Sequence, residues 1–173
     1  MPRMNASAAA TYCSAENNRV TLTGMPAKIN NQLGIAVAKR TYKAYRELLG
    51  SARWLRAYNE GARPQRLLWA STGTKDPNAP DILYVKALNA PFTVNTIPDK
   101  TLLAFAEHGE VGSLLPADGG DSETMLAQFA RDGIDVAGLA LELQNEGAAS
   151  FTKSWNDLMG VIASKSGLLQ KAS

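Results

Sequence analysis

The sequence predicts an α/β fold with parallel strands, and three observations carry that reading. Helix-like and strand-like segments alternate in the order helix, strand, helix, strand, helix, followed by further helices, which is the order that crossover-connected parallel strands produce. Leu67-Leu68-Trp69-Ala70 is a short apolar run, introduced by Pro64, that breaks abruptly into Ser71-Thr72-Gly73-Thr74-Lys75, as a buried strand does where it meets a polar loop. Thr93-Val94-Asn95-Thr96-Ile97 is β-branched and stops against Pro98, a second strand signature. Two strands do not make a stable sheet with both faces covered, so the chain is expected to be a piece of a larger unit.

The remaining elements follow in chain order. Residues 1–31 are polar and small without a sustained period, and a poorly ordered arm is expected there; Val20-Thr21-Leu22-Thr23 is strand-like, but Gly24 and Pro26 end it at once. From Gln32, the residues Ile35, Ala38, Tyr42, Tyr45 and Leu49 recur at spacings of three and four, which is the apolar stripe of an amphipathic helix. Lys39, Arg40, Lys43 and Arg46 lie mostly off that stripe and read as a solvated face. Gly50 stops the helix, and residues 51–59 form one further helical piece carrying Trp54, Leu55 and Tyr58. The turn-rich stretch 76–81 precedes a short helix over 82–88 with Asp81 as its N-cap. Pro98 opens a helix whose buried side would be Leu102, Leu103, Phe105 and Ala106, ending at Gly109. Residues 110–120, with several glycines and a proline, form a loop. Three helices complete the chain, over 122–131, 135–145 and 148–164, divided at Gly133 and Gly147. The last carries Phe151, Trp155, Leu158, Met159 and Ile162 on one side, and its aromatics, like Trp69, suit packing better than cofactor contact.

Composition narrows the function. With 173 residues, 45% hydrophobic and 20% charged with a net charge of +2, the chain can bury one domain's core and is not disordered as a whole. So small an excess of basic residues, without a long block, implies neither nucleic acid nor an anionic membrane as partner. Cys13 is the single cysteine and His108 the single histidine, which leaves no internal disulfide, no zinc ligand set and no metal site to expect. His108, just before Gly109, suits a helix C-terminus and needs no catalytic explanation. No apolar run approaches the ~20 residues of a membrane span, and a cytoplasmic chain is expected.

In α/β proteins ligands bind at the carboxyl ends of the strands. The hydroxyls, glycine and lysine of Ser71-Thr72-Gly73-Thr74-Lys75 stand at such an end and suggest an anion site. Lys75 supplies a point charge of the kind that partners phosphate. Ser71 lies where its hydroxyl can line the pocket, with a satisfied strand-end hydroxyl as the alternative. Asn95 and Thr96 are the polar residues of the second strand and candidates for pocket lining, against hydrogen bonding within the fold. The segment is not a Walker loop, whose first glycine and Gly-Lys-Ser/Thr order are absent. Nor does Lys75 suit a Schiff base, which needs a lysine desolvated in an apolar pocket.

These residues also carry a resemblance. Arg63-Pro64-Gln65-Arg66-Leu67-Leu68-Trp69-Ala70-Ser71-Thr72-Gly73-Thr74-Lys75, then Tyr84-Val85, then Thr93-Val94-Asn95-Thr96-Ile97-Pro98 and the segment from Thr101 to Gly109, resemble the C-terminal half of bacterial transaldolases. The first helix and the closing Asn145-Glu146-Gly147, Phe151 and Ser154-Trp155 are similar to the same family, so that the likeness spans residues 32–164, leaving 165–173 as a tail. The resemblance implies a partial (β/α)8 TIM barrel, with the strand at Leu67 as strand seven, that at Thr93 as strand eight, and the terminal helices packed outside. It implies transfer of a dihydroxyacetone unit between ketose and aldose phosphates through a lysine Schiff base, in the pentose phosphate pathway, with no metal or organic cofactor. Sugar phosphate would be the substrate, held through its phosphate by Lys75 and Ser71, since barrels commonly build phosphate sites after strands seven and eight. In the family, the Schiff-base lysine, the proton-handling carboxylates and a serine–arginine pair at the phosphate come from earlier strands. No catalytic residue is therefore assigned here, and the chain alone is expected to be an inactive fragment. The alternative is a non-catalytic phosphosugar-binding or split-barrel subunit that needs a partner, either a complementing N-terminal barrel half or another copy in a homo-oligomer.

Overall fold

The computed structural model describes residues 31–171; the expected arm at 1–31, with its strand-like Val20-Thr21-Leu22-Thr23, otherwise lies outside the described residues. Among these, the chain forms α1 (Gln32–Gly50), α2 (Ala52–Asn59), β1 (Leu67–Ala70), α3 (Leu83–Ala87), β2 (Thr93–Thr96), α4 (Asp99–His108), α5 (Ser122–Arg131) and α6 (Val136–Lys171). It divides into two units, one ending at Val136 and one beginning at Ala137.

In the first unit β1 and β2 pair in parallel, with Leu67 opposite Thr93 and Trp69 opposite Asn95. The α/β reading with parallel strands therefore holds, on a sheet of two strands. The apolar run of β1 predicts burial on both faces, and the structure buries one: Leu67 and Trp69 are buried, whereas Leu68 is 41% exposed. Alternation along a strand sends successive side chains to opposite faces, and only the face carrying Leu67 and Trp69 is packed. There Ala38 and Tyr42 of α1, Leu88 and Leu115 close a core around Trp69. Tyr42 donates its hydroxyl to the Pro91 carbonyl at 3.2 Å and Tyr45 donates to the Phe92 carbonyl at 3.3 Å, so α1 also holds the entrance to β2.

The basic residues of α1 are not simply a solvated face. Lys39 Nζ reaches Asp121 Oδ1 at 2.6 Å, and Arg40 grips both carboxylate oxygens of Glu123 at 2.6 and 2.7 Å. Arg46 stacks over the Phe92 ring, 5.0 Å from its centroid. These pairs flank a small core of Ala36, Val37 and Leu126 between α1 and α5. The sequence period identifies the side of α1 that bears charge; opposite charges at the start of α5, more than 80 residues away, decide its use. The Lys39 and Arg40 hydrogen bonds hold the Asp121 and Glu123 carboxyls below the usual carboxylate range.

Four further expectations are corrected. Asp81 does not cap α3, which begins without a side-chain cap; its carboxylate meets His108 Nε2 at 3.0 Å instead, and that hydrogen bond lowers its pKa. On α4 the expected apolar side is largely open, with Leu102 50% and Leu103 71% exposed while Thr101 is buried. Helical spacing identifies an apolar side but not whether an element covers it. The division at Gly147 is absent, because α6 runs unbroken from Val136 to Lys171. A single interior glycine costs only about 1 kcal/mol relative to alanine, and Gly147 stands among Glu146, Ala148 and Ala149, which favour helix. Within this second unit Phe151 and Trp155 are 82% and 62% exposed rather than packed.

Candidate functional site

The loop after β1 shapes the carboxyl edge of the sheet. Ala70 and Thr96 form the last rung of the parallel pair, so Ser71 leaves the sheet at that edge. Ser71 has φ 56. That left-handed conformation costs a non-glycine residue roughly 1–2 kcal/mol and turns the chain sharply out of the strand. Ser71 is exposed, whereas Thr72, directly after it, is fully buried.

Thr72 is the residue that sequence reasoning passed over. Its hydroxyl donates to Asn95 Oδ1 at 2.8 Å, tying the loop after β1 to the neighbouring strand. Thr96 Oγ1 donates to the Trp69 carbonyl at 3.3 Å and ties the strands in the other direction. The hydroxyl spacing Ser71-Thr72 was visible in sequence; the positive φ that sends the two to different environments was not. Gly73 then passes so close to the start of α4 that a Cβ there would lie 3.2 Å from Pro98 Cγ and 3.2 Å from Thr101 Oγ1. A larger residue there would require these side chains to give by a few tenths of an ångström.

Lys75 emerges from this anchored turn as an exposed side chain. An ammonium in water is a charge for binding an anion rather than a desolvated amine. The carboxylate of Asp76, next in the chain, accepts from Asn31 Nδ2 at 2.8 Å and from the Asn78 backbone N–H at 2.9 Å. The Asn31 bond, chiefly, holds its pKa down. Ser71 and Thr96 thus stand at the carboxyl edge of the sheet, and Lys75 follows in the loop that leaves it. Asn95 does not face the same way as Thr96: neighbours in a strand point oppositely, and Asn95 lies on the Trp69 face. Among the described residues no three of His, Cys, Asp or Glu converge as metal ligands, and no helix is long and apolar enough to cross a membrane.

Among the described residues, a two-stranded parallel sheet with helices after each strand makes an α/β arrangement, a class in which ligands commonly bind at strand ends. Comparison with known proteins names the family. The description "Transaldolase/Fructose-6-phosphate aldolase" matches residues 3–162, and the chain belongs to that family. The match takes in residues 3–31, ahead of the 32–164 over which the motifs carry the resemblance. The chain is 41% identical over 157 residues to the transaldolase of Parafrankia sp. (strain EAN1pec), an alignment covering 89% of this chain and 42% of that protein. It is 41% identical over 140 residues to the transaldolase of Frankia alni, covering 80% and 38%. It is 43% identical over 132 residues to that of Mycolicibacterium smegmatis, covering 76% and 36%. The chain thus spans about two fifths of the length of the curated relatives it matches, in their C-terminal part.

Proposed function

We propose that the chain supplies the sugar-phosphate edge of a transaldolase, the enzyme that moves a dihydroxyacetone unit between ketose and aldose phosphates. In this reading β1 and β2 are strands seven and eight of a (β/α)8 barrel. Ser71 and Lys75 hold the substrate phosphate, and Thr96 lines the pocket beside them. Asn95 acts behind the site, through its hydrogen bond from Thr72. The lysine that forms the Schiff base comes from a strand this chain does not contain, so the chain alone binds sugar phosphate but does not turn it over. It works in the cytoplasm, in the pentose phosphate pathway.

The observation that carries the reading is the left-handed Ser71 at the carboxyl end of a parallel strand. Backbone strain of this kind persists where the surroundings enforce it, and it gathers at binding sites. Titration with fructose 6-phosphate followed by calorimetry tests it. Lys75→Ala is expected to weaken binding about tenfold, the loss of one charge-assisted contact, and unchanged affinity would remove Lys75 from the site. Borohydride added to the same mixture, followed by intact mass, should leave the chain unmodified; a stable adduct on a lysine would mean that the nucleophile has been misplaced.

A second reading rests on a separate observation. The face of the sheet bearing Leu68 and Val94, 41% and 37% exposed, is apolar and open, and strand edges left unpaired promote association. In that reading the chain is a non-catalytic or split-barrel subunit completed by a polypeptide that carries the earlier strands. Sedimentation separates the two: a monomer that melts cooperatively at all concentrations speaks against any need for a partner.

A further inference from the structure

The loop that leaves β1 is fastened at two points. At its start the buried Thr72 hydroxyl donates to Asn95 Oδ1 at 2.8 Å. At its far end Asp76 Oδ2 accepts from Asn31 Nδ2, also at 2.8 Å, although the two residues stand 45 apart in the sequence. Asp76 uses its other acceptors within its own turn: Oδ1 takes the Asn78 backbone N–H at 2.9 Å, and its carbonyl takes that of Ala79 at 3.2 Å. Only Gly73, Thr74 and Lys75 lie between the two fastenings.

Asn31 forgoes a more ordinary role to make its bond. It stands at the N-cap of α1, where an asparagine side chain usually accepts an N–H of the first turn and steadies the helix. Here it makes no such bond. Its φ is 67, a left-handed conformation that asparagine visits more readily than most non-glycine residues. The amide engages Asp76 through its nitrogen instead, while its oxygen accepts the Tyr84 hydroxyl of α3 at 3.4 Å. A helix start left without its side-chain cap, beside so distant a cross-link, marks the cross-link as the bond this residue is placed to make.

We infer that Asn31 is a positioning residue for Lys75, a role that rests on the proposed contact between Lys75 and the substrate phosphate. Through Asp76 it fixes the far end of the three-residue span, and so sets where the exposed Lys75 side chain starts. Gly73, close against Pro98 and Thr101, limits the near end. Backbone held on both sides of a lysine removes part of the ordering that binding an anion would otherwise have to supply. Asn31 itself need not touch the ligand.

Asn31→Gly removes the amide and leaves the left-handed backbone unstrained. Calorimetric titration with fructose 6-phosphate of the native chain, Asn31→Gly, Lys75→Ala and the double variant forms a cycle that separates positioning from a general loss of stability. Asn31→Gly is expected to bind about three- to tenfold more weakly, the range set by ordering one side chain. The double variant should bind no more weakly than Lys75→Ala. Asn31→Asp sets a carboxylate against Asp76 and should weaken binding at least as much; adding Asp76→Asn, which returns a donor to the pair, should restore affinity to within about twofold of the native chain. An equal loss from Asn31→Gly with and without Lys75, or no rescue by Asp76→Asn, would overturn the inference. Lys75→Ala binding as tightly as the native chain would overturn the phosphate reading and this inference with it, whereas a loss at Lys75 and none at Asn31 overturns the inference alone.

Discussion

The two faces of the β1–β2 sheet carry similar side chains and meet different fates. Leu67 and Trp69 point to one face and are buried at 4% and 1% exposure, while Leu68 and Val94 point to the other and stay open at 41% and 37%. Leucine stands on both faces, as Leu67 and Leu68, so that side chain by itself does not distinguish them. The difference comes from α1, which lays Ala38 and Tyr42 across the Trp69 side and anchors the entrance of β2 through two tyrosine hydroxyls. A strand apolar on both sides is written for a sheet covered on both sides, and among the described residues one face is covered.

The largest test of this contrast pairs Trp69→Ala with Leu68→Ala. Trp69→Ala empties the packed face and should remove about 3–5 kcal/mol of stability. Leu68→Ala should remove less than about 1 kcal/mol. Urea unfolding of both variants breaks the comparison if the two losses are alike. Next is Thr72→Val, which keeps the shape but leaves Asn95 Oδ1 without its donor; a loss of about 1–3 kcal/mol is expected on the same measurement. Ser71→Gly sharpens the contrast from the functional side. Relief of the left-handed strain should raise stability by about 1 kcal/mol, while affinity for fructose 6-phosphate falls as the hydroxyl is lost. A variant that is both more stable and equally tight would make the serine a structural accident.

The smallest effect is electrostatic. Arg40→Ala should lower stability at pH 7 by about 0.2–1 kcal/mol, because the pair with Glu123 is substantially exposed and screened. Its sign with pH comes from the carboxyl. A depressed folded pKa contributes stability that is fully present above the unfolded value, and this is lost as pH falls through the folded one. Thermal melts should therefore show the native chain weakening below about pH 4, with part of that slope absent in Arg40→Ala. A slope unaffected by the substitution would mean that Asp121 and other acids carry it.

Much of this was legible in the sequence, for identifiable reasons. The period of α1 placed Ile35, Ala38 and Tyr42 inside, and the break from Ala70 into Ser71-Thr72-Gly73 located the strand end, because both signals are local. Signals that depend on distant partners were not legible. The pairing of Lys39 and Arg40 with Asp121 and Glu123, the diversion of Asp81 from capping to His108, and the opening of Leu102 and Leu103 each depend on what lies across from a residue, not beside it. Gly147 reads as a break because the glycine signal is local, while the helix around it is cooperative. At the candidate site, the residue types were visible and their directions were not: one positive φ at Ser71 separates it from Thr72, and strand alternation separates Asn95 from Thr96.

Tyr42 and Tyr45 grip the backbone carbonyls of Pro91 and Phe92, not their side chains. A carbonyl is present whatever amino acid occupies the position, so the clasp survives replacement at its receiving end and fails on replacement at its giving end. For these two bonds tolerance to sequence drift is therefore lopsided: a carbonyl remains at Pro91 and Phe92 whatever side chain stands there, whereas the two phenols on α1 have no such freedom; Phe92 is constrained separately, by its positive φ and by the Arg46 guanidinium over its ring.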